Sequence, residues 1–292
     1  MRSLPLLISA LCAPLACAVQ PPPSAARSAE RGTIRVATWN VHDLFDPVDR
    51  VSVPGDLDDL PSPTEVEARL EGIAAVIERL DADVLLLQEV ENLPLAEALA
   101  SRAGYPEARL VEGFDPRGID VAVLSRLPVD RYVSHLGETG LDGRPLWSRD
   151  CVEAHAGGGL LVLVGTHLVS RITDPAGERR RAQAARLREI AEEASWSSPG
   201  ALVLAGGDLN DEPGSGPLAP LLADGAWVDP LVEVGLGSSW TWLGLGGGAR
   251  LDYLLVPRED AWRVVSAAIA DGADVAAASD HRPVVVDLAR GR

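Results

Sequence analysis

Short apolar runs, each stopping abruptly at a polar or charged pair, recur along this chain and constrain its fold more than any other feature. Val84-Leu85-Leu86-Leu87 stops at Gln88-Glu89, Leu160 to Gly165 at Thr166-His167, and Leu202 to Ala205 at Gly206-Gly207-Asp208. An unbroken apolar run of this length, bounded by turn residues, reads as a strand covered on both faces. Ile34-Arg35-Val36-Ala37-Thr38-Trp39 alternates instead, as a half-buried strand does, and delivers Asn40 at its end. Further short strands are expected at Ile119 to Leu124, Asp150 to His155, Leu251 to Val256 and Val284 to Val286, between Gly/Pro turns.

Helical periods fall between these runs. Thr64 with Glu67 three residues on has the form of a capping box, and Val66, Leu70, Ile73, Val76, Ile77 and Leu80 then share one face. A second helix is expected from about Glu178 to Ala194, and the acidic stretch from Asp46 to Pro63 reads as a loop. Buried strands mixed with amphipathic helices require an α/β body whose helices cover the sheets. Periodicity leaves open whether that body holds two packed sheets or one doubly wound sheet. No shift in composition marks a second domain.

The first residues have the form of an export signal spanning 1–18: Met1-Arg2-Ser3, the apolar run Leu4 to Leu15, then Ala16-Cys17-Ala18. The run is too short to cross a bilayer. Leu15-Ala16-Cys17 also resembles the end of a lipoprotein signal, so the alternative is a lipid anchor on Cys17, although Pro14 fits that pattern poorly. Residues 19–32, with Pro21-Pro22-Pro23, read as a disordered linker, and residues 33–288 as one catalytic body. The expected location is therefore outside the cytoplasm: periplasmic, secreted or anchored in the envelope. Cys151 is the one cysteine in the body, which excludes an internal disulfide there and reads as a small buried hydrophobe.

Charge narrows the function. The chain of 292 residues carries 26 Lys+Arg against 43 Asp+Glu, a formal net charge of −17, which excludes a polybasic nucleic-acid coat protein. All the basic residues are arginine, so an anion site must be built from Arg, His, metal or backbone. The apolar runs end in Asn40, Glu89, His167, Asp208 with Asn210, Asp252, and Asp280 with His281. Ligands of α/β proteins gather where strands end, so this set carries information if it converges on one edge. A zinc site is not expected, because the body has one cysteine and no His-Glu-x-x-His run.

An ordered series of segments carries a resemblance. These are Ala37-Thr38-Trp39-Asn40, Leu87-Gln88-Glu89-Val90, Arg117-Gly118-Ile119-Asp120 running on to Ser125-Arg126, Thr166-His167-Leu168, Gly206-Gly207-Asp208-Leu209-Asn210, Leu251-Asp252-Tyr253, and Ser279-Asp280-His281-Arg282-Pro283-Val284. Together they resemble the endonuclease/exonuclease/phosphatase superfamily over about residues 33–288. The resemblance implies a four-layer α/β sandwich, two mixed sheets packed face to face and flanked by helices. It also implies a metal-dependent phosphodiesterase in which water attacks in line and a divalent cation neutralises the developing charge. In that scheme Glu89 is the principal ligand of Mg²⁺, with Mn²⁺ as the alternative, Asn40 lies beside it and Asp280 near the same ion. Asp208 and Asn210 position and activate the water, while His281 and His167 bind phosphate oxygens and exchange protons. Asp252 orients His281, and Asp120 is expected to do the same for His167.

The chain departs from many secreted members, which read His-Leu-Lys-Ser-Lys where this one has His167-Leu168-Val169-Ser170-Arg171. One phosphate-directed cation is lost and charge is kept only at Arg171, with Arg117 and Arg149 as the candidates to compensate. His42, His135 and His155 read as loop or strand-surface histidines, His42 lying close to Asn40. Arg179-Arg180-Arg181 with Arg186 and Arg188 read as an exposed helix face paired to Glu189, Glu192 and Glu193. Trp240 and Trp242 are expected to wall the pocket or join the core. The expected partner is a phosphodiester, nucleic acid first, and no stable protein partner is implied. The alternatives are a phospholipid headgroup or small phosphate ester, for which no exposed apolar hairpin stands out, and a non-catalytic module. The last is disfavoured because Glu89, Asp208 and His281 are all present.

Overall fold

In the computed structural model of the chain, residues 32–48, 60–237 and 239–290 are described. The expected signal segment with Cys17, the linker up to residue 31 and most of the acidic stretch 46–63 lie outside the described residues.

Two six-stranded mixed sheets form the body. The first has the order β13-β14-β1-β2-β4-β3, where β1 is Thr33–Leu44, β2 Val84–Val90, β3 Glu107–Leu110, β4 Asp120–Ser125, β13 Val264–Ile269 and β14 Val284–Ala289. The second has the order β5-β6-β7-β8-β12-β9, where β5 is Val129–Ser134, β6 Val152–Ala156, β7 Leu161–His167, β8 Leu202–Asp208, β9 Trp227–Val228 and β12 Asp252–Pro257. A small hairpin pairs β10 (Trp242–Gly244) with β11 (Gly247–Ala249). Strands run parallel only at β1–β2 and β7–β8, the two places where a helix crosses over between them.

The period of two along each strand sorts side chains into three cores. Val84 and Leu86 of β2 meet Leu161 and Leu163 of β7 and Leu202 and Leu204 of β8 between the sheets. Leu85 and Leu87 point the other way, against helices α1 (Pro63–Leu80) and α2 (Leu93–Ala103). Val162, Val164 and Val203 pack under helix α3 (Glu178–Ser197) and the short helix α4 (Ala219–Leu222). Two sheets inside two helical layers make the four-layer sandwich, which settles the choice that periodicity left open. Close approach of the sheets depends on Gly165, where a Cβ would sit 2.5 Å from the Leu86 methyls.

All six residues expected on the inner face of α1 are buried or nearly so. Its cap lies two residues earlier than expected: the Ser62 side chain accepts from the Glu65 amide and the Glu65 carboxylate reaches back to Ser62. Pro63 explains the shift, since its fixed φ and missing N–H suit the first helical position and leave Thr64 inside the first turn. Cys151 is free and fully buried. No helix among the described residues is long and apolar enough to cross a membrane.

Candidate active site

The polar residues at the strand ends continue the rows that fill the core between the sheets. Leu161, Leu163 and Gly165 precede His167 on β7, Leu202, Leu204 and Gly206 precede Asp208 on β8, and Asp252 opens the row of Leu254 and Val256 on β12. Strand register sets His167 opposite Asp208, and Asp208 opposite Asp252. Three polar side chains therefore stand side by side where the apolar sandwich opens. From the facing sheet, Ile34, Val36 and Thr38 lead to Asn40.

Glu89 would follow the wrong parity in a regular strand, since Leu85 and Leu87 face the helices. A bulge corrects its aim: the β1–β2 register shifts between Asn40 and Leu44, and the β2–β4 register between Gln88 and Val90. Glu89 takes a left-handed backbone at φ 64°, as do His42 at 57°, Asp43 at 48° and Asn210 at 53°. Four of the five such non-glycine residues among those described thus belong to this site, and backbone strain held by the surroundings is a mark of functional geometry. The His42 and Asp43 amides donate to Asn40 Oδ1 and Glu89 Oε2, each at 2.9 Å, which holds the bulge.

Asn40 links the two sheets. Its Nδ2 donates to Glu89 Oε1 and to Asp208 Oδ2, both at 3.0 Å. Asp208 Oδ2 also lies 3.4 Å from His167 Nε2 and 3.8 Å from His281 Nε2. Its other oxygen accepts from the Asn210 amide at 2.9 Å, and Asn210 Nδ2 donates to Leu168 O. His281 Nδ1 hydrogen-bonds Asp252 Oδ2 at 2.9 Å, as the resemblance implied. Burial and the Asp252 charge push the Asp208 carboxyl up to about 7. Burial works against a charged His281, but the Asp252 charge and hydrogen bond outweigh it and raise the imidazole to about 10. Burial, with Arg149 and His281 nearby, drives His167 well below its ordinary value, so it stands neutral beside a cationic His281.

Asp120 does not orient His167. Its Oδ1 accepts from the Gly113 amide at 2.9 Å, and His167 Nδ1 is buried with no hydrogen-bond partner. Asp120 instead fastens the loop that carries Phe114 and Arg117.

The donor set beside Glu89 fits a hard divalent cation. A nitrogen of His42 and carboxylate oxygens of Asp43 and Glu89 all lie within 4.8 Å of one another. Burial and the charge of Glu89 push Asp43 up to about 7, a repulsion that a bound cation relieves. Burial also opposes the Glu89 charge, but its contacts with Asp43, Asn40 and Arg117 prevail and hold it below its ordinary value. Asp280 Oδ1 pairs with His42 Nδ1 at 3.0 Å, and Trp242 Nε1 donates to Oδ2 at 2.8 Å.

Several of these contacts were not legible in the sequence. Arg69 on α1 donates to Ala278 O at 2.6 Å, Val41 O at 2.7 Å and His42 O, tying the bulge to the segment before Asp280. Ser279 Oγ donates to Asn40 O and accepts from the His281 amide, and Trp39 Nε1 donates to His281 O. Backbone carbonyls carry no residue signal, so nothing in the sequence marks Arg69. Asp43 had a weak signal, an acid three residues beyond Asn40.

Around the floor opens a bowl of about 740 Å³, lined by His42, Glu89, His167, Asp208 and His281 and by five arginines, 117, 144, 149, 171 and 179. The three arginines expected to face phosphate are each paired: Arg117 with Asp43, Arg149 with Asp115 at 3.0 Å, and Arg171 with Glu212 at 3.1 Å. The cluster on α3 is not one exposed face. Arg180 is buried against Asp211 and Asp174, Arg179 lines the bowl, and Arg186 and Arg188 do pair with the expected glutamates while also reaching Glu138 and Asp224. His135 and His155 are not surface residues either, since both are largely buried against Glu153. Trp242 walls the bowl, and Trp240 lies under the Arg282 guanidinium.

Comparison with known proteins agrees with this fold. The family model described as "Endonuclease/Exonuclease/phosphatase family" matches residues 37–281. No curated protein matches the sequence. Among solved structures, the human nocturnin catalytic domain with bound sulfate is 18% identical, with a TM-score of 0.65 over 89% of this chain and 95% of that one. An AP endonuclease from Archaeoglobus fulgidus is 19% identical, with a TM-score of 0.61 over 87% and 99%. Sphingomyelinase C from Streptomyces griseocarneus is 20% identical, with a TM-score of 0.57 over 88% and 99%. Identities this low establish a shared fold.

Proposed function

The chain belongs to the endonuclease/exonuclease/phosphatase family, and from that premise we propose that it is a divalent-cation-dependent phosphodiesterase, reading nucleic acid as its substrate. The observation that carries the reading is the cluster around one Asp208 oxygen, with Asn40, His167 and His281 beside it and Asp252 behind His281. Glu89 and Asp280, with Asn40 between Glu89 and Asp208, would hold Mg²⁺ or Mn²⁺, and His42 and Asp43 stand at the same corner. A bound divalent cation supplies neutralisation of the charge that builds on the phosphate oxygens.

The chain's own residues do the rest. Asp208 accepts the proton of the attacking water as the new P–O bond forms. Asn210 fixes the Asp208 carboxylate through its backbone amide. His281, held protonated by Asp252, donates toward the phosphate and passes a proton to the leaving oxygen as the ester bond breaks. Neutral His167 remains a hydrogen-bonding group on the same oxygens.

Arg144 and Arg179 at the bowl support nucleic acid, because strand affinity rests on cationic contacts to phosphates and the other three arginines there are paired with carboxylates. A lipid-headgroup reading has its own support. Phe114 and Ile172 line the bowl and stand exposed, and Leu243 and Leu245 are exposed on the hairpin that follows Trp242, an apolar feature that the sequence did not reveal. The export-signal pattern in residues 1–18 supports a location outside the cytoplasm, which fractionation of the producing cell tests.

The purified protein is assayed with Mg²⁺ or Mn²⁺ against plasmid DNA, RNA, sphingomyelin and a bis-aryl phosphodiester, each with an EDTA control. EDTA-sensitive cleavage of DNA or RNA is expected, and cleavage of lipid alone would transfer the substrate to the second reading. Asp208→Ala is expected to lose about 10²–10⁴-fold in turnover. A fully active variant overturns the mechanism.

A further inference from the structure

The arginines that line the bowl are not all spent on nearby carboxylates. Arg117, Arg149 and Arg171 are each neutralised by a carboxylate. Arg179 is not, and Arg144 has only an exposed carboxylate at the limit of ion-pair distance. Arg179 Nε donates to Leu146 O at 3.2 Å and its Nη2 to Pro145 O at 3.0 Å, which holds the guanidinium against the loop that carries Arg144. Among the described residues no carboxylate lies within ion-pair distance of Arg179. The side chain of Arg144 is 85% exposed, and its nearest carboxylate, on Asp142, is 4.0 Å away and exposed too. Both arginines line the bowl that also contains Asp208 and His281. In a chain of net charge −17, one guanidinium without a carboxylate partner beside a second that is paired only loosely and in solvent forms a local anion trap.

We propose that Arg144 and Arg179 form a second anion subsite, which takes a phosphate of the substrate other than the scissile one. The proposal rests on the phosphodiesterase reading for the role of the floor. It names the substrate class: a molecule with at least two phosphates, either a nucleic-acid strand or a nucleotide with a terminal phosphomonoester. A zwitterionic headgroup fits poorly, because its ammonium would face two guanidinium groups. Phe114, 61% exposed and also lining the bowl, supplies a flat apolar face of the kind on which a base stacks.

The test measures binding without turnover, by calorimetry on the full protein without added metal. The ligands are thymidine 3′-phosphate, thymidine 3′,5′-bisphosphate and the dinucleotide TpTp. The wild-type protein is expected to bind a two-phosphate ligand about tenfold or more tightly than the monophosphate, the size of one or two charge-assisted hydrogen bonds. The preference is expected to fall to about twofold in the R144Q/R179Q double variant. R144Q alone, which changes only an exposed side chain, is expected to lower the preference roughly threefold and guards against a loop disturbed by loss of Arg179. Preference for the bisphosphate alone identifies a terminal phosphomonoester, and preference for TpTp as well identifies a strand. Equal binding of all three ligands, or a preference that survives the double variant, overturns the subsite. Preference without any cation-dependent hydrolysis keeps the subsite and removes the phosphodiesterase reading; hydrolysis without preference does the reverse.

Discussion

At the scale of the residue, one oxygen of Asp208 is contested by Asn40, His167 and His281, and the outcome decides the acid–base roles. Asp252 lies behind His281 and keeps that imidazole charged, while His167, with no carboxylate on its buried Nδ1, stays neutral. Two histidines of one site are thereby given opposite protonation states by what stands behind them. The sign of the pH effect follows. A pKa raised to about 10 keeps His281 protonated through neutral and mildly alkaline pH, and the proton is lost as pH rises through that value. The alkaline limb of kcat/KM is therefore expected near pH 10 and to move to lower pH in Asp252→Asn. An unmoved limb in that variant would dissociate it from His281. The motifs made Asp252 and His281 legible as a pair, whereas Asp120 failed as partner of His167 because its hydrogen bond is spent on Gly113.

At the scale of the element, the two strands that deliver Glu89 and Asp208 solve the same problem differently. β8 is regular up to Asp208 but needs Gly207, which sits at φ 122° where a Cβ would be 2.0 Å from Thr166 O. β2 breaks its register in a bulge and sets Glu89 itself in the left-handed region. A bulge has no residue signature here, so the identity of Glu89 was readable while its aim was not. Helix α1 shows the same limit at its start, where Ser62 and Thr64 each present a plausible cap and Pro63 decides between them. Ser62→Ala is expected to cost about 1 kcal/mol by urea unfolding and Thr64→Ala less than about 0.5 kcal/mol. The reverse order would return the cap to Thr64.

At the scale of the whole molecule, the outer edge of the second sheet is held by a charged network remote from the bowl floor. Glu153 on β6 meets His155, Arg131 and His135, and His135 passes the connection through Glu138 to Arg186 on α3. Hydrogen bonding from His135, against the opposing effect of burial, draws Glu153 down to about 2. Its contribution to stability is therefore complete above the unfolded carboxylate value, near 4.5, and is lost as pH falls toward 2. Glu153→Gln is expected to lose about 1 kcal/mol at pH 7, roughly 2–4 °C in Tm, with the gap to wild type closing between pH 4.5 and 2. A gap that holds constant through that range would show that packing, and not charge, is what the variant removes.

What the sequence determined by itself follows from local rules. Apolar runs must be buried and helical periods must cover them, so an α/β body, its strands and the polar residues at their ends were readable from 292 letters. Distance along the chain hides what is decided in space. The pairing of the two sheets, the bulge that turns Glu89, the grip of Arg69 on three carbonyls and the choice of which arginines are neutralised each depend on contacts between residues far apart in sequence. A guanidinium looks the same in the sequence whether a carboxylate quenches it or not. Only the packed structure brings Asp43, Asp115 and Glu212 against three arginines of the bowl and turns Arg179 to backbone carbonyls instead.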